Sequence, residues 1–164
     1  MYRRTKTAKR GNNCCVVVAD GARARLFSVE PSDTRAGRKL VERDSLANDE
    51  YRYGDANEGI SNRDAGPVHP HGAQRDRHRL EIERRFAAEI VSRIAALVAG
   101  WGAGEVILVM EPRMLGLMRA SVRGAIQPPI QLKELAKDYA ALTAQELEQH
   151  LIISGTLSVQ HAAS

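Results

Sequence analysis

The sequence lacks any apolar run of the length that a membrane-spanning helix requires, and its first residues contain no apolar segment like that of a secretory signal. These absences predict a cytoplasmic protein that has no membrane partner. With 164 residues, the chain is long enough for one domain with a real core and too short for two ordinary domains.

Cysteine is scarce as well, because the sequence has only the adjacent pair Cys14 and Cys15. Neighbouring side chains on a strand point to opposite faces, so the pair cannot form a disulfide framework. We expect a reducing compartment, with one thiol in the core and the other turned outward.

Familiar catalytic signatures are missing: there is no Gly-x-Ser-x-Gly elbow and no phosphate-binding loop with Lys-Ser/Thr. Three carboxylates at the ends of predicted strands could together bind a divalent metal for phosphodiester hydrolysis, although each also suits a turn or a helix start. They are Asp20, Glu111 and Asp138.

One loop contains a cluster that resembles a metal site, formed by His69, His71, Asp76 and His78. Structural zinc sites need rigid spacing and usually include cysteines, so solvated loop histidines are the better interpretation. The sequence therefore predicts neither a metal nor another cofactor.

The basic character of the chain is concentrated at its N-terminus. Formal net charge is +4, and five of the 24 basic residues lie in the first ten positions, which leaves 19 basic against 20 acidic residues elsewhere. Such a segment should be disordered until it meets an anion. The anion could be a polyphosphate backbone or an anionic lipid surface, or the segment could only increase solubility.

Apolar periodicity predicts the fold class. Residues 14–19 form a β-branched run, alternation resumes over residues 24–29, and the turn signal Asp20-Gly21 between them indicates a hairpin. Further patterns predict strands at 39–43, 106–110 and 130–135, and helices at 79–99, 113–123 and from a Thr143/Glu146 capping box to about residue 151. We predict a single mixed-sheet α/β domain with an antiparallel hairpin or meander, a long central helix and a β-α-β crossover half.

The long helix is predicted to follow a loop. Residues 46–77 lose periodicity and accumulate Gly, Asn, Asp, Pro and Arg, which predicts a long mobile loop whose last part contains Gly72, Ala73 and Gln74. A Gln amide can orient a water or a hydroxyl when its backbone is free to turn. The predicted organisation is a basic tail at 1–13, a domain at 14–152 and a C-terminal tail at 153–164.

Several sequence blocks resemble the bacterial host attachment protein family. They occur in the same order, over roughly residues 16–151, as VVVADGARARLF at 16–27, PRMLGL at 112–117, LAKD at 135–138, and the pairs at 142–143 and 146–147. That family is similar to the middle domain of eukaryotic and archaeal class-1 release factors and of Pelota.

The resemblance implies a catalytic Gly-Gly-Gln loop in front of the long helix, where the Gln helps water to release the peptide on the ribosome. Gly72 would match the first glycine and Gln74 the glutamine, whereas Ala73 departs from the second glycine. A side chain at that position removes backbone conformations, so the loop is degenerate. The chain has room for neither the codon-reading nor the partner-recruiting domain of a release factor.

These observations lead to an RNA- or ribosome-associated binding protein, such as a translation accessory, rescue or hibernation-type factor, with ribosome or tRNA as partner. The alternatives are a hydrolase, acting on peptidyl-tRNA or as a metal-assisted nuclease, and a protein involved in attachment to host cells. The sequence does not indicate an oligomeric state. The predicted nucleic-acid-binding residues are Arg3, Arg4, Lys6, Lys9, Arg10, Arg75, Arg77 and Arg79.

Overall fold

The computed structural model describes residues 13–51 and 70–157, and in the second range the side chains from Gly72 onwards. Five strands and three long helices follow one another in these ranges. They are β1 (Cys14–Ala19), β2 (Arg23–Pro31), β3 (Arg38–Ala47), α1 (Pro70–Val98), β4 (Gly104–Met110), α2 (Pro112–Ala125), β5 (Ile130–Leu135) and α3 (Ala144–Ile153).

The five strands form one sheet in the order β3-β2-β1-β4-β5. Strands β1, β2 and β3 are an antiparallel meander, whereas β1, β4 and β5 are parallel to one another. This arrangement confirms the predicted single mixed-sheet α/β fold, with a meander first and a crossover half second. No helix of the described residues is both long enough and apolar enough to cross a bilayer.

Strand β1 lies at the centre, and all six of its residues are buried. Because side chains alternate along a strand, Cys15, Val17 and Ala19 join the core formed with α1 and α2. Cys14, Val16 and Val18 join a second core, formed with α3 on the other face. Two apolar faces on one strand explain its continuous β-branched sequence.

The prediction that one cysteine faces outward is wrong, since Cys14 is 5% exposed and Cys15 is 0% exposed. Their side chains do point to opposite faces, but α3 and the segments around it cover the second face. Desolvation by burial raises the pKa of Cys14 to about 11 and that of Cys15 to about 12. Both thiols therefore remain protonated at neutral pH, which makes them poor nucleophiles.

The segment between β3 and α1 is shorter than predicted at both ends. Leu46 pairs with Ala24 and is buried, so β3 continues to Ala47, and α1 begins at Pro70. The apolar stripe of α1 starts only at Ile82, which is why periodicity alone placed the helix start too late. Residues 52–69 of the predicted loop lie outside the described residues, as do residues 1–12 of the predicted tail.

Other predicted boundaries hold closely. Gly100 has a φ of +83° and ends α1, as predicted, in the left-handed conformation that glycine tolerates best. Thr143 Oγ1 accepts a hydrogen bond from Glu146 N at 3.2 Å, and Glu146 Oε1 accepts one from Thr143 N at 3.3 Å, so the capping box is confirmed. Beyond α3, Leu157 is buried in the second core, which extends the packed chain past the predicted end at residue 152.

Trp101 and Gly104 fill the space between the end of α1 and the start of β4. Trp101 packs against the first core beside the end of α1. A Cβ atom at Gly104 would lie 2.7 Å from the backbone oxygen of Asn13 and 2.8 Å from Cε3 of Trp101. The close approach of these groups therefore requires glycine at this position.

We predict that Gly104→Ala lowers the free energy of unfolding by about 2 kcal/mol, because the added methyl group meets a backbone atom that cannot move aside. Urea denaturation followed by circular dichroism measures the change. Gly102→Ala is the matched control, since a Cβ atom there has no neighbour within 4 Å. Equal stability of the two variants would contradict the prediction.

Candidate nucleic-acid interface

Helix α1 runs antiparallel to β1 and β4 and extends past their carboxyl ends. Near its C-terminal end, Arg93 Nη1 donates a hydrogen bond to Asp44 Oδ2 at 2.8 Å, alongside the middle of β3. Nearer its N-terminus, Arg79 contacts Tyr51, whose ring lies 3.0 Å from a Cβ atom built on Gly21, just after β1. At about 1.5 Å per residue, Arg79 lies on the order of 28 Å along the axis from Val98.

Residues 70–81 of α1 form what we call the arm. None of its described side chains, which run from Gly72 to Glu81, is buried, and the first buried residue of the helix is Ile82. The first turn contains no acidic residue. The arm is therefore a largely solvated stretch of helix at the carboxyl edge of the sheet.

Three predicted nucleic-acid-binding residues lie together on the arm: Arg77 is exposed, and Arg75 and Arg79 are half-buried. Asp76 and Glu81 partly offset their charge. Arg84 and Arg85 add two exposed guanidinium groups just beyond the arm, and Arg85 pairs with Glu81 and Glu50 at 3.7 and 3.6 Å.

The segment proposed as a catalytic loop is helical. Gly72, Ala73 and Gln74 are exposed residues within the first two turns of α1, and Gly72 does not have a positive φ. Gln74 is accessible, as predicted, but it extends from a regular helix and lacks the freely turning backbone that the loop hypothesis required. Good helix formers such as Ala, Gln and Arg dominate here, and that propensity signal was present in the sequence.

Four side chains form a charged cluster where the arm joins the packed part of α1; we call it the clamp. The carboxylate of Glu83, which is buried, lies 3.2 Å from Nε of Arg113 and 3.7 Å from Nε of Arg79. Arg79 also donates a hydrogen bond to the hydroxyl of Tyr51, and its guanidinium carbon lies 4.9 Å from the centre of that ring. The clamp thus connects α1 to α2 and to the segment after β3.

Sequence reasoning missed Glu83 and Arg113 as members of a site. Glu83 looked like one more charged residue on a helix surface, and no sequence pattern links it to a residue thirty positions later. The first turn of α2 brings Arg113 to the carboxyl edge, because β4 ends there and Pro112 starts the helix at once.

Asn13, the first described residue, lies at the opposite edge of the sheet from the arm. The backbone oxygen of Asn13 accepts a hydrogen bond from Glu105 N at 2.9 Å, and Asn13 Nδ2 donates one to Ala103 O at 3.0 Å. Both contacts lie at the amino end of β4. The five predicted cations of the basic N-terminal segment lie outside the described residues, and they are Arg3, Arg4, Lys6, Lys9 and Arg10.

The three carboxylates considered for a metal follow parallel neighbouring strands, so they share one edge of the sheet. Asp20 has a structural task there, since its Oδ1 accepts hydrogen bonds from Ala22 N at 2.8 Å and Arg23 N at 2.9 Å. Within residues 13–51 and 70–157, no group of three or more His, Cys, Asp or Glu side chains is arranged to hold a metal ion. Of the predicted histidines, His78 is an exposed arm residue, and the side chains of His69 and His71 are not among those described.

We predict that Gly72→Ala increases the helicity of the arm, because alanine is favoured over glycine inside a helix by about 1 kcal/mol and the site has no atom within 4 Å of a Cβ. Hydrogen exchange of the amides at 72–81 measures the change, and slower exchange is expected. Gly116→Ala, at an equally open position in α2, should behave in the same direction. Faster exchange in Gly72→Ala would mean that residue 72 occupies a conformation reserved for glycine.

Two comparisons with known proteins gave different results. A search of curated proteins found no match. The family described as "Protein required for attachment to host cells" matches residues 15–151, from the first core strand to the last turn of α3. The match covers most of the chain and includes the arm and the clamp. The chain therefore belongs to this family of proteins required for attachment to host cells.

Proposed function

We propose that the protein is an RNA-binding protein that acts on the ribosome as a translation accessory, rescue or hibernation-type factor, and that the arm is its main contact surface. The observation that carries this proposal is the arm itself. A long helix is packed from Ile82 onwards, and the residues before it place the exposed Arg77 and the half-buried Arg75 and Arg79 at the sheet edge. Such a segment contributes little to the core, so its charge pattern favours a role in binding.

The chemistry of the arm suits a phosphate backbone. Arginine presents a planar fork of donors that pairs with two phosphate oxygens, and it is weakly hydrated compared with lysine. Arg77 and Arg84 are exposed and lie seven residues apart, so they share one face of the helix at about 10 Å spacing. The positive end of the helix dipole lies at the same terminus.

Gln74 has a modest part in this proposal. On a helix surface its amide can donate and accept hydrogen bonds with a base edge or with a 2′-hydroxyl, and the 2′-hydroxyl is the group that distinguishes RNA from DNA. We do not assign it a hydrolytic role, because the helical backbone holds it without the freedom that the release-factor comparison called for. The nuclease alternative is not favoured, because Asp20 already accepts two hydrogen bonds within the turn that follows β1.

We predict that the double variant Arg77→Gln/Arg84→Gln binds structured RNA about tenfold more weakly than the unchanged protein at low salt. Each lost phosphate contact should reduce the slope of log affinity against log salt by about 1. Fluorescence anisotropy with a labelled tRNA, repeated over a range of salt concentrations, gives both quantities.

The matched control is Arg35→Gln/Arg123→Gln, which removes the same charge from exposed positions near the opposite edge of the sheet. It should retain most of the affinity. Removing residues 1–10 tests the basic segment separately and should lower the slope further. Binding that is insensitive to salt, or equal weakening by both double variants, would refute the arm as the contact surface.

The family description supports a second function, participation in attachment to host cells, because the family match spans residues 15–151. In a bacterium that carries this protein, deleting its coding sequence should reduce the number of attached cells, and restoring it should recover attachment. An arm variant that fails to bind RNA distinguishes the two functions. If Arg77→Gln/Arg84→Gln restores attachment fully, attachment does not depend on RNA binding by the arm.

A further inference from the structure

Glu83 is a buried charge at the base of an exposed helix segment, and core packing does not account for it. Its residue is 5% exposed, whereas the flanking positions of the apolar stripe hold Ile82 and Phe86. A carboxylate taken out of water requires compensating partners, and Glu83 has two arginines. An apolar residue at position 83 would have filled the same space without the free-energy cost of removing a charge from water.

The partners of Glu83 come from both sides of the arm's base. Arg79 precedes it by one helical turn within the arm, and Arg113 belongs to the first turn of α2. Through Arg79, the contacts continue to Tyr51, which lies beside the turn after β1. A single carboxylate therefore joins the last turn of the arm to two separate parts of the folded domain.

The arm needs such a connection to stay helical. Most helical stability in proteins comes from tertiary packing of an apolar face, and no described side chain of the arm is fully buried. The clamp lies at the boundary between this stretch and the buried stripe. Contacts made there resist fraying from the N-terminus, because they hold the turn from which the arm's hydrogen-bond ladder continues.

We propose that Glu83 is a positioning residue for RNA binding: by holding Arg79 and Arg113, its buried carboxylate keeps the arm helical and so holds Arg77 in register with Arg84 along a phosphate backbone. The RNA part of this inference rests on the function proposed above. The clamp itself, as the element that orders the arm, does not depend on that function.

This role predicts that Glu83→Gln changes the affinity for RNA in the direction opposite to the one that simple electrostatics predicts. Replacing Glu83 by Gln removes a negative charge from a surface that binds polyanions, so charge alone would increase the affinity for RNA. If Glu83 positions the arm, the affinity falls instead, because two arginines lose their shared partner and the arm frays. The salt slope also falls, although the net charge becomes more positive, since fewer phosphates are contacted at once.

The experiment compares Glu83→Gln with Glu81→Gln. Glu81 is the last residue of the arm, two positions before Glu83, and undergoes the same charge change, but its side chain is 53% exposed and pairs with Arg85 at 3.7 Å. We expect Glu81→Gln to bind tRNA equally or more tightly, and Glu83→Gln to bind it about three- to tenfold more weakly with faster hydrogen exchange at 72–81. Arg113→Gln should reproduce the faster exchange, and combining it with Glu83→Gln should add little, since both remove the same contact.

Each possible result either supports or overturns the proposed role of Glu83. Tighter binding by Glu83→Gln than by the unchanged protein, or unchanged exchange in the arm, overturns it. If the unchanged protein binds no RNA, the proposed function fails, and the exchange measurement on Glu83→Gln and Arg113→Gln still tests the clamp. If Glu83→Gln does not fold, Arg113→Gln decides alone, because this change is made at a half-exposed side chain. A folded Arg113→Gln with a fully protected arm then refutes the clamp.

Discussion

The parallel pairing of β1 with β4 is the constraint on which the rest of this structure depends. Both strands are buried along nearly their whole length, and residues 14–19 of β1 match residues 105–110 of β4 one to one. A parallel pair needs a long connection, and here the connection contains β2, β3 and α1. The pairing also brings the carboxyl ends of β1, β4 and β5 to one edge, where the arm, Tyr51 and the start of α2 meet.

Burial on both faces of β1 determines how the helices are distributed. One core lies under α1 and α2, and the other lies under α3 with the chain that follows it. The second layer hides Cys14, so neither cysteine offers the reactive thiol that a single exposed face would have allowed. The arm, by contrast, is a largely solvated stretch of helix that includes the exposed Arg77.

The clamp links a buried charge, Glu83, to the solvated arm at the surface. Arg79 and Arg113 neutralise Glu83 and tie a largely solvated helical segment to the domain. The same contacts explain how the arm, in which no described side chain is buried, can remain helical. Membership of the family described by host-cell attachment is compatible with the RNA-binding role proposed for the arm, since an effect on attachment does not require that the protein itself touch the host.

Local patterns in the sequence determined the elements and much of the fold. Each of these patterns involves only neighbouring residues, so it could be recognised without coordinates. They are the alternation over 24–29, the apolar spacing from Ile82 to Val98, Gly100 and the Thr143/Glu146 box.

Tertiary structure alone decided the rest. The burial of Cys14 depends on α3, the continuation of β3 to Leu46 depends on its partner Ala24, and the clamp joins residues from three distant parts of the chain. The helix starts at Pro70, inside the predicted loop, because the residues there favour a helix without forming an apolar stripe. Apolar periodicity therefore could not detect this part of the helix. Contacts between residues far apart in the chain leave no local period, and for that reason only the folded molecule shows where the arm is anchored.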